Sequence, residues 1–470
     1  MSVQLFIVVF YVFLLFAISL YAKKKADHGT AEYLFAGRKF GTGLIAINIT
    51  ALAVGAASTV GVAENAFAVG IAAGWYNAAW SAGALVMGLV AAGKYRALNA
   101  TTIPDLFERY YDTKGRIISV IGLLIIMLVI TSLQYLAGGA ILSALLPDIF
   151  TFKSGMLTSA VVFIGVTLLG GLWSSGLSNV ISVLLIYFGV LYSTYSAVDS
   201  VGGLQALAMQ LPAEQDWLNP FSGLPIAVII GWFVVMITQA ITAQGPVQIA
   251  CSAKSAATAK KGFLWGALLI FPVGFLCALI GLVARVKYPE VTPTMALPSV
   301  VMGLDPIAAG VTLAAMWAAD VSTACTILLG AGTLFAQDIY KRFINPGVAE
   351  QKYLLINRIT ILVCGLLTLW FAFNAAGIVK TMIAGLSLTT ALTVVFLFTI
   401  FCPKLCRRSA AFYTTLVGLI GIIAWEFIPA LHILQHVIYF EWIICVATFL
   451  LVALFDKNPI KTPELVGERK

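Results

Sequence analysis

The stretch Trp317–Arg342, WAADVSTACTILLGAGTLFAQDIYKR, decides how the rest of the chain is read. Its first two-thirds are apolar enough for a bilayer, yet Asp320, Ser322, Thr323 and Thr326 fall within two helical turns. It ends on Asp338-Ile339-Tyr340-Lys341-Arg342, a charged run suited to a membrane–water boundary. Hydroxyls are tolerated in a bilayer helix when backbone carbonyls, a neighbouring helix or an ion satisfies them. Ser322 and Thr323 are adjacent, with Cys325 and Thr326 one turn on, so polar atoms gather on one side. A small hard cation takes oxygen ligands of this kind. Hydroxyls bonding back to carbonyls of their own helix would produce the same letters.

Composition places this stretch in a membrane protein. The chain is 470 residues long, 61% hydrophobic and only 10% charged, and its mean hydropathy is +1.00. Soluble domains carry more than twice that charged share. Repeated apolar runs of about 20 residues define a polytopic helical protein. The net charge of +8 is expected of a protein with one basic membrane face, and implies no nucleic-acid partner. The seven cysteines are scattered without metal-like spacing, which speaks against a disulfide framework. The first apolar run lacks a preceding basic region and a small-residue cleavage site, so it reads as a retained helix. No nucleophile–base or metal constellation marks an enzyme, no filter repeat marks a channel, and no obligate protein partner is evident.

The apolar runs fall at about 3–22, 43–69, 72–93, 117–146, 156–174, 177–198, 222–247, 262–284, 306–335, 355–375, 380–402, 409–428 and 437–455, about 13 spans in all. An odd number puts the termini on opposite sides. With the N-terminus outside, only Lys153, Arg285, Lys287 and Lys380 of the 28 Lys and Arg residues fall outside. The positive-inside bias therefore predicts a cytoplasmic C-terminus and a multi-pass protein of the cell (inner) membrane.

Two spans are irregular. Ala51–Gly61, ALAVGAASTVG, is poor in helix formers. It suits either close helix packing or an unwound segment offering carbonyls to a ligand. The seventh span is interrupted by Gly245-Pro246. The two spans lie five apart and cross in opposite directions, as an inverted repeat of five helices requires. No letter-by-letter repeat accompanies them.

Several fragments then resemble, in order, the sodium:solute symporter family. They are Tyr33-Leu34-Phe35-Ala36-Gly37-Arg38, Thr102-Ile103-Pro104-Asp105-Leu106-Phe107-Glu108-Arg109-Tyr110, Gly170-Gly171-Leu172, Gln248 with Ala253-Lys254-Ser255, and Ser322-Thr323 before Asp338-Ile339-Tyr340-Lys341-Arg342. The resemblance covers roughly residues 5–430. It implies an all-α fold of the leucine-transporter type, a five-plus-five inverted-repeat core with a leading helix and two trailing helices. On that basis residues 1–42 form the leading helix and loop, 43–200 the first repeat, 201–402 the second, and 403–470 the trailing helices and tail.

The resemblance also implies a sodium site joining the second and ninth spans. Its carbonyls would come from Ala51, Val54 and Ala319, and its hydroxyls from Ser322 and Thr323. Na+ would be the coupling ion, with no other cofactor. Some family members carry a second sodium site with a carboxylate in a Thr-Asp pair. Here that pair reads Ser178-Asn179, and Cys325 replaces a hydroxyl position, which predicts one sodium per cycle. The family's Gln-Arg pair after the seventh span reads Gln248-Ile249.

By the same correspondence Ser58, Asn77 and Trp80 map to the substrate cavity. Gln134, Gln239 and Gln244 are polar residues that face either the cavity or neighbouring helices. Glu64 and Asp320 are ionisable residues inside spans, which marks each as a functional candidate. At about 100° per residue, Asp320 sits about 200° from Ser322 but about 60° from Thr323. It suits a cavity-facing, paired or proton-carrying role better than sodium ligation. The spans 117–146 and 222–247 hold no Arg or Lys, which favours a neutral or amine-bearing solute. The expected function is sodium-coupled import of a small polar organic solute by alternating access. A proton-coupled symporter using Asp320, or a sensor of the same fold, is the alternative. The tail after Asp456, about 15 residues, is shorter than a signalling domain.

Overall fold

The protein is described from a computed structural model covering residues 3–26, 28–98, 101–373, 385–432 and 434–460. Lys380, Lys461, Arg469, Lys470 and the start of the expected 380–402 span lie outside the described residues. The described residues are almost wholly helical, without extended strands. Seven described helical stretches are long and apolar enough to cross a membrane, and a bent pair raises that to 8.

The helices follow the apolar runs closely. In chain order they are α1 (Val3–Ala26), α2 (Thr42–Ala53), α3 (Val60–Val69), α4 (Trp75–Val86), α5 (Thr113–Leu145) and α6 (Phe152–Asp199). There follow α7 (Ile226–Thr242), α8 (Gln244–Cys251), α9 (Ala256–Lys287), α10 (Pro306–Leu334), α11 (Glu350–Ala372), α12 (Thr390–Phe401), α13 (Ala410–Phe427) and α14 (Val437–Phe455). Several of their starts are capped by short polar side chains, which satisfy amides that have no partner within the helix. Asp112 accepts from Gly115 N, Ser255 from Thr258 N, and Asp305 from Ile307 N and Ala308 N.

The helices sort into two groups by their packing. In one, α6 lies against α1, α5 and α10; in the other, α9 lies against α2, α3 and α4, and α4 also against α7. The two groups meet where α6 packs against α9 and α2, and where α2 approaches α10. The α10 region is the centre of the molecule, with 94% of its apolar stretch buried inside the protein against 28% for α11 and α14.

Three breaks shape this centre. Between α2 and α3 the backbone leaves helical geometry at Val54 (φ −95°, ψ 69°) and Gly55 (φ −112°, ψ −154°). The Ala51–Gly61 run is thus partly unwound. Gly55 is needed by close approach, because a Cβ there would collide with Thr323 Oγ1 and lie 2.8 Å from Gln134 Oε1. The second break differs from the sequence expectation. The interruption in the seventh span falls at Ala243 (ψ 140°), before Gly245-Pro246, and bends α7 from α8 by 49°. Pro246 sits in the first turn of α8, where its missing N–H costs no hydrogen bond. The third break is Gly171 (φ 52°, ψ −138°), which divides the long α6 where two spans were expected. Its left-handed φ suits glycine, and a Cβ there would run into the Tyr33 carbonyl.

Gly171 against Tyr33 also shows why the scattered fragments occur together in one chain. Gln248 Nε2 donates to Leu34 O at 2.8 Å. Phe40 N donates to Ser252 O and Lys254 N to Phe40 O, forming a bridge beside Ala253. These fragments build one face of the bundle, the Lys- and Arg-rich one.

Candidate functional site

The break after α2 frees its last carbonyls from helical hydrogen bonding, and α10 answers them with hydroxyls. Ser322 Oγ lies within donating distance of Ala51 O (3.0 Å) and of Ala319 O (2.8 Å). Thr323 Oγ1 lies 3.0 Å from Ala51 O and 3.2 Å from Leu52 O. Ser58 Oγ donates to Ala53 O, which caps the next carbonyl from within the break. Val54, the residue at which α2 ends, stands three positions beyond Ala51. All five residues expected at the ion site are buried. Ala51, Ala319, Ser322 and Thr323 are in direct contact, and Val54 stands at the break itself. Each hydroxyl carries one proton for two carbonyls, so the oxygens outnumber the protons that could pair them. A compact, buried set of carbonyl and hydroxyl oxygens is suited to a hard monovalent cation.

A second polar cluster adjoins it on α6. Thr326 Oγ1 donates to Ser322 O at 3.0 Å and lies 3.1 Å from Ser175 Oγ. Asn179 Nδ2 donates to Asn48 Oδ1 at 2.9 Å, and Asn48 Nδ2 to Leu44 O at 2.7 Å. Ser178 Oγ and Asn179 Oδ1 are buried without a hydrogen-bond partner. Cys325 faces the other way, with Sγ 3.4 Å from Phe163 O.

Beside Thr323 lies a small cavity of about 40 Å³. Its walls come from Leu52, Trp80, α5, the α7–α8 break, Thr323 with Ile327, and Leu386. Of the expected cavity residues, Trp80, Gln239 and Gln244 line it. Trp80 Nε1 also donates to Tyr76 Oη at 3.3 Å. Gln134 instead serves the α2–α3 break, its Oε1 accepting from Ala56 N at 2.9 Å, and Ser58 is the cap just described. Asn77 is fully buried against Gly274 of α9, and neither end of its amide has a hydrogen-bond partner. Glu64 is half-buried on α3. Asp320 is 0% exposed, and neither carboxylate oxygen has a hydrogen-bond partner. None of these five is among the described lining residues.

One constellation was not assembled from the sequence. At the Lys- and Arg-rich face, Arg116 Nη2 lies 2.5 Å from Asp338 Oδ1, and Arg116 Nη1 lies 2.5 Å from Glu108 Oε2. Arg342 Nε adds 2.9 Å to Glu108 Oε2, and Thr102 Oγ1 donates to Asp338 Oδ1 at 3.0 Å. Burial alone would raise the Glu108 carboxyl, but hydrogen bonds from Arg342, Arg116 and Thr113 outweigh it and hold it down to about 2. The available signal was the pair of charged fragments, Thr102–Tyr110 and Asp338–Arg342. The two fragments meet at Thr102–Asp338 and Glu108–Arg342, 236 and 234 residues apart in sequence. No group of three or more His, Cys, Asp or Glu residues suited to a metal occurs among the described residues.

A helical bundle with a broken span, carbonyls exposed at the break and a cavity beside it is the architecture of a multi-pass membrane transporter. The sodium:solute symporter family model matches residues 33–418. The chain belongs to the sodium:solute symporter family. It is 27% identical to sodium/glucose cotransporter 4 of Danio rerio, with 97% of this chain and 79% of that relative covered. It is 23% identical to the sodium/proline symporter of Escherichia coli (strain K12), covering 84% and 82%. Among solved structures, a Na+-coupled sialic acid symporter in a substrate-bound outward-open state superposes with a TM-score of 0.81 at 17% identity, covering 98% and 99%. A nucleobase-cation-symport-1 family transporter superposes with a TM-score of 0.63 at 14% identity, covering 90% and 92%.

Proposed function

We propose that this chain is a secondary active transporter in which one sodium ion, moving down its gradient, drives a small polar organic solute inward by alternating access. The observation that carries the reading is the meeting of Ser322 and Thr323 with the Ala51 carbonyl at the α2–α3 break. A sodium ion held by Ala51, Val54, Ala319, Ser322 and Thr323 would tie the two helix groups together, and its loss would let them part. The second polar cluster holds amides and hydroxyls and no carboxylate, which supports one sodium per cycle. The relatives' names attach sodium to glucose, proline and sialic acid transport, consistent with an organic solute. On this reading residues 43–200 and 201–402 form the two inverted repeats, the Lys- and Arg-rich face and the C-terminus are cytoplasmic, and the N-terminus lies outside the cell (inner) membrane. Replacing sodium by choline is expected to abolish solute uptake in proteoliposomes and to lower the melting midpoint of the purified protein. Equal uptake in both salts would overturn the reading.

A second reading, coupling to a proton on Asp320, is favoured by one observation. That carboxyl is fully buried at mid-helix and lacks a hydrogen-bond partner on either oxygen. Its test is a pH dependence of uptake that disappears in Asp320→Asn.

A further inference from the structure

The cavity beside Thr323 has a composition that defines a ligand. Among its described lining residues there is no Asp, Glu, Lys, Arg or His. Burying an unpaired charge is costly, and a zwitterion would bring two. Most of the wall is aliphatic, with Leu52, Ile126, Met127, Ile130 and Leu386 contributing, so the body of the occupant is apolar as well.

Two polar groups stand out against that wall. Gln239 and Gln244 lie on either side of the Ala243 break and are 1% and 0% exposed. Gln244 Nε2 donates to Thr101 O at 3.2 Å, which orients the amide and leaves Oε1 as its acceptor. That Oε1 has no hydrogen-bond partner, and neither has Gln239 Nε2. Buried polar groups in folded proteins are nearly always paired, and an unpaired one calls for an explanation. The two together leave one unpaired donor and one unpaired acceptor on residues that line the same apolar cavity.

We propose that Gln239 and Gln244 form the recognition pair for a small uncharged solute that carries an amide-like group on an apolar body. Gln239 Nε2 donates to the solute carbonyl, and the solute N–H donates to Gln244 Oε1. The inference rests on the sodium-symport reading above and narrows its solute from any polar organic molecule to a neutral amide or lactam. Thr323 borders both the cavity and the oxygen cluster, so sodium binding and solute binding share a residue. The space enclosed in this conformation is small, about 40 Å³, so a lactam enters it only as the surrounding helices part. A site built to hydrogen-bond its ligand discriminates strongly against an analogue that leaves those groups unpaired.

The test uses the purified full chain and four probes: δ-valerolactam, its N-methyl derivative, proline and glucose. Melting midpoints are followed in sodium chloride and in choline chloride. The expected result is a lactam-dependent rise that is larger in sodium. N-methylation, which removes the N–H and leaves Gln244 Oε1 unpaired, should weaken binding about tenfold or more. Gln239→Leu and Gln244→Leu should each weaken lactam binding to a similar degree while keeping the rise caused by sodium alone. The N-methyl comparison needs no variant, so it stands even where a variant fails to fold. A proline or glucose shift with none from the lactam, or equal binding of the lactam and its N-methyl derivative, would overturn the proposal and leave sodium coupling intact. Absence of any sodium effect in the unliganded protein would instead overturn the sodium reading on which it rests.

Discussion

Arg116 at the start of α5 and Asp338 beyond the end of α10 form a buried ion pair, Nη2 to Oδ1 2.5 Å, with side chains 4% and 0% exposed. The pair fastens the start of α5 to the segment that follows α10 at the Lys- and Arg-rich face. Breaking a buried pair by removing one partner leaves an uncompensated charge and costs about 3–5 kcal/mol. Arg116→Gln and Asp338→Asn are each expected to lower the melting midpoint strongly. The double substitution should cost less than the two added together, because the second change removes the charge that the first orphaned. Additive losses in thermal melts would show that the two residues act independently.

Glu108 links the same cluster to solvent and makes it sensitive to acid. Its carboxyl is held at about 2 in the folded protein, below its ordinary 4.5. A depressed acid contributes stability above its unfolded pKa, and that contribution is lost as pH falls through the folded one. The contribution of Glu108 is therefore full above about pH 4.5 and gone by about pH 2. Glu108→Gln should lower the melting midpoint at neutral pH, and the gap from the parent should close as the pH falls through this window. A gap independent of pH would assign the loss to packing.

The ion site and the solute cavity were not equally legible. Ser322 and Thr323 stood out because hydroxyls in an apolar run need a partner, and Ala51–Gly61 because so few of its residues favour a helix. Both signals come from residues that violate their surroundings. The cavity wall sends no such signal. Ile126 is 2% exposed and lines the cavity, while Ile121 and Ile125 on the same helix are 45% and 41% exposed. In a bilayer helix the lipid-facing and cavity-facing sides can be equally apolar, so only the three-dimensional packing separates them. The break before α8 was legible as a break but was misplaced, since Gly245-Pro246 marks the first turn after it and Ala243 carries no breaker's signature. The Arg116–Asp338 pair spans a separation that no local pattern reports.

Ser322→Ala with Thr323→Ala removes both hydroxyls that meet the Ala51 carbonyl. If they ligate sodium, the sodium concentration for half-maximal stabilisation or uptake should rise about tenfold or more, equivalent to about 1.4 kcal/mol. If they serve only as interhelical hydrogen bonds, the melting midpoint should fall equally in sodium and in choline, with the sodium dependence unchanged. Comparing the two salts therefore separates ligation from scaffolding.

A single ion per cycle predicts a sodium titration of uptake with a Hill coefficient near one. The physical basis is the pairing of Asn179 with Asn48 in a cluster without a carboxylate. Asn179→Asp would place a charge there. The variant is expected to lose stability in choline and to regain part of it in sodium as a second ion is drawn in. A coefficient near two in the parent protein would show that neutral ligands suffice.

Asp320→Asn tests the least constrained residue of the centre. The substitution keeps the volume and shape of the side chain while removing its ability to ionise. Asp320 lies three residues before Thr323 on α10 but belongs neither to the oxygen cluster nor to the described cavity wall. Sodium-dependent stabilisation should therefore stay within about twofold of the parent, a change below about 0.5 kcal/mol. Solute affinity in sodium should be equally unaffected if recognition rests on the two glutamines. An ionisable group without a hydrogen-bond partner inside a span is nevertheless costly unless it carries a function, and the informative readout is uptake as a function of pH. If Asn removes a pH dependence that the parent shows, Asp320 carries a proton during transport and sodium is not the only coupling ion. If both proteins share one pH profile and Asn merely shifts the melting midpoint, Asp320 is part of the scaffold around the break. A loss of sodium affinity as large as that of the Ser322 and Thr323 double variant would instead place its carboxylate in the ion site, against the geometry of α10.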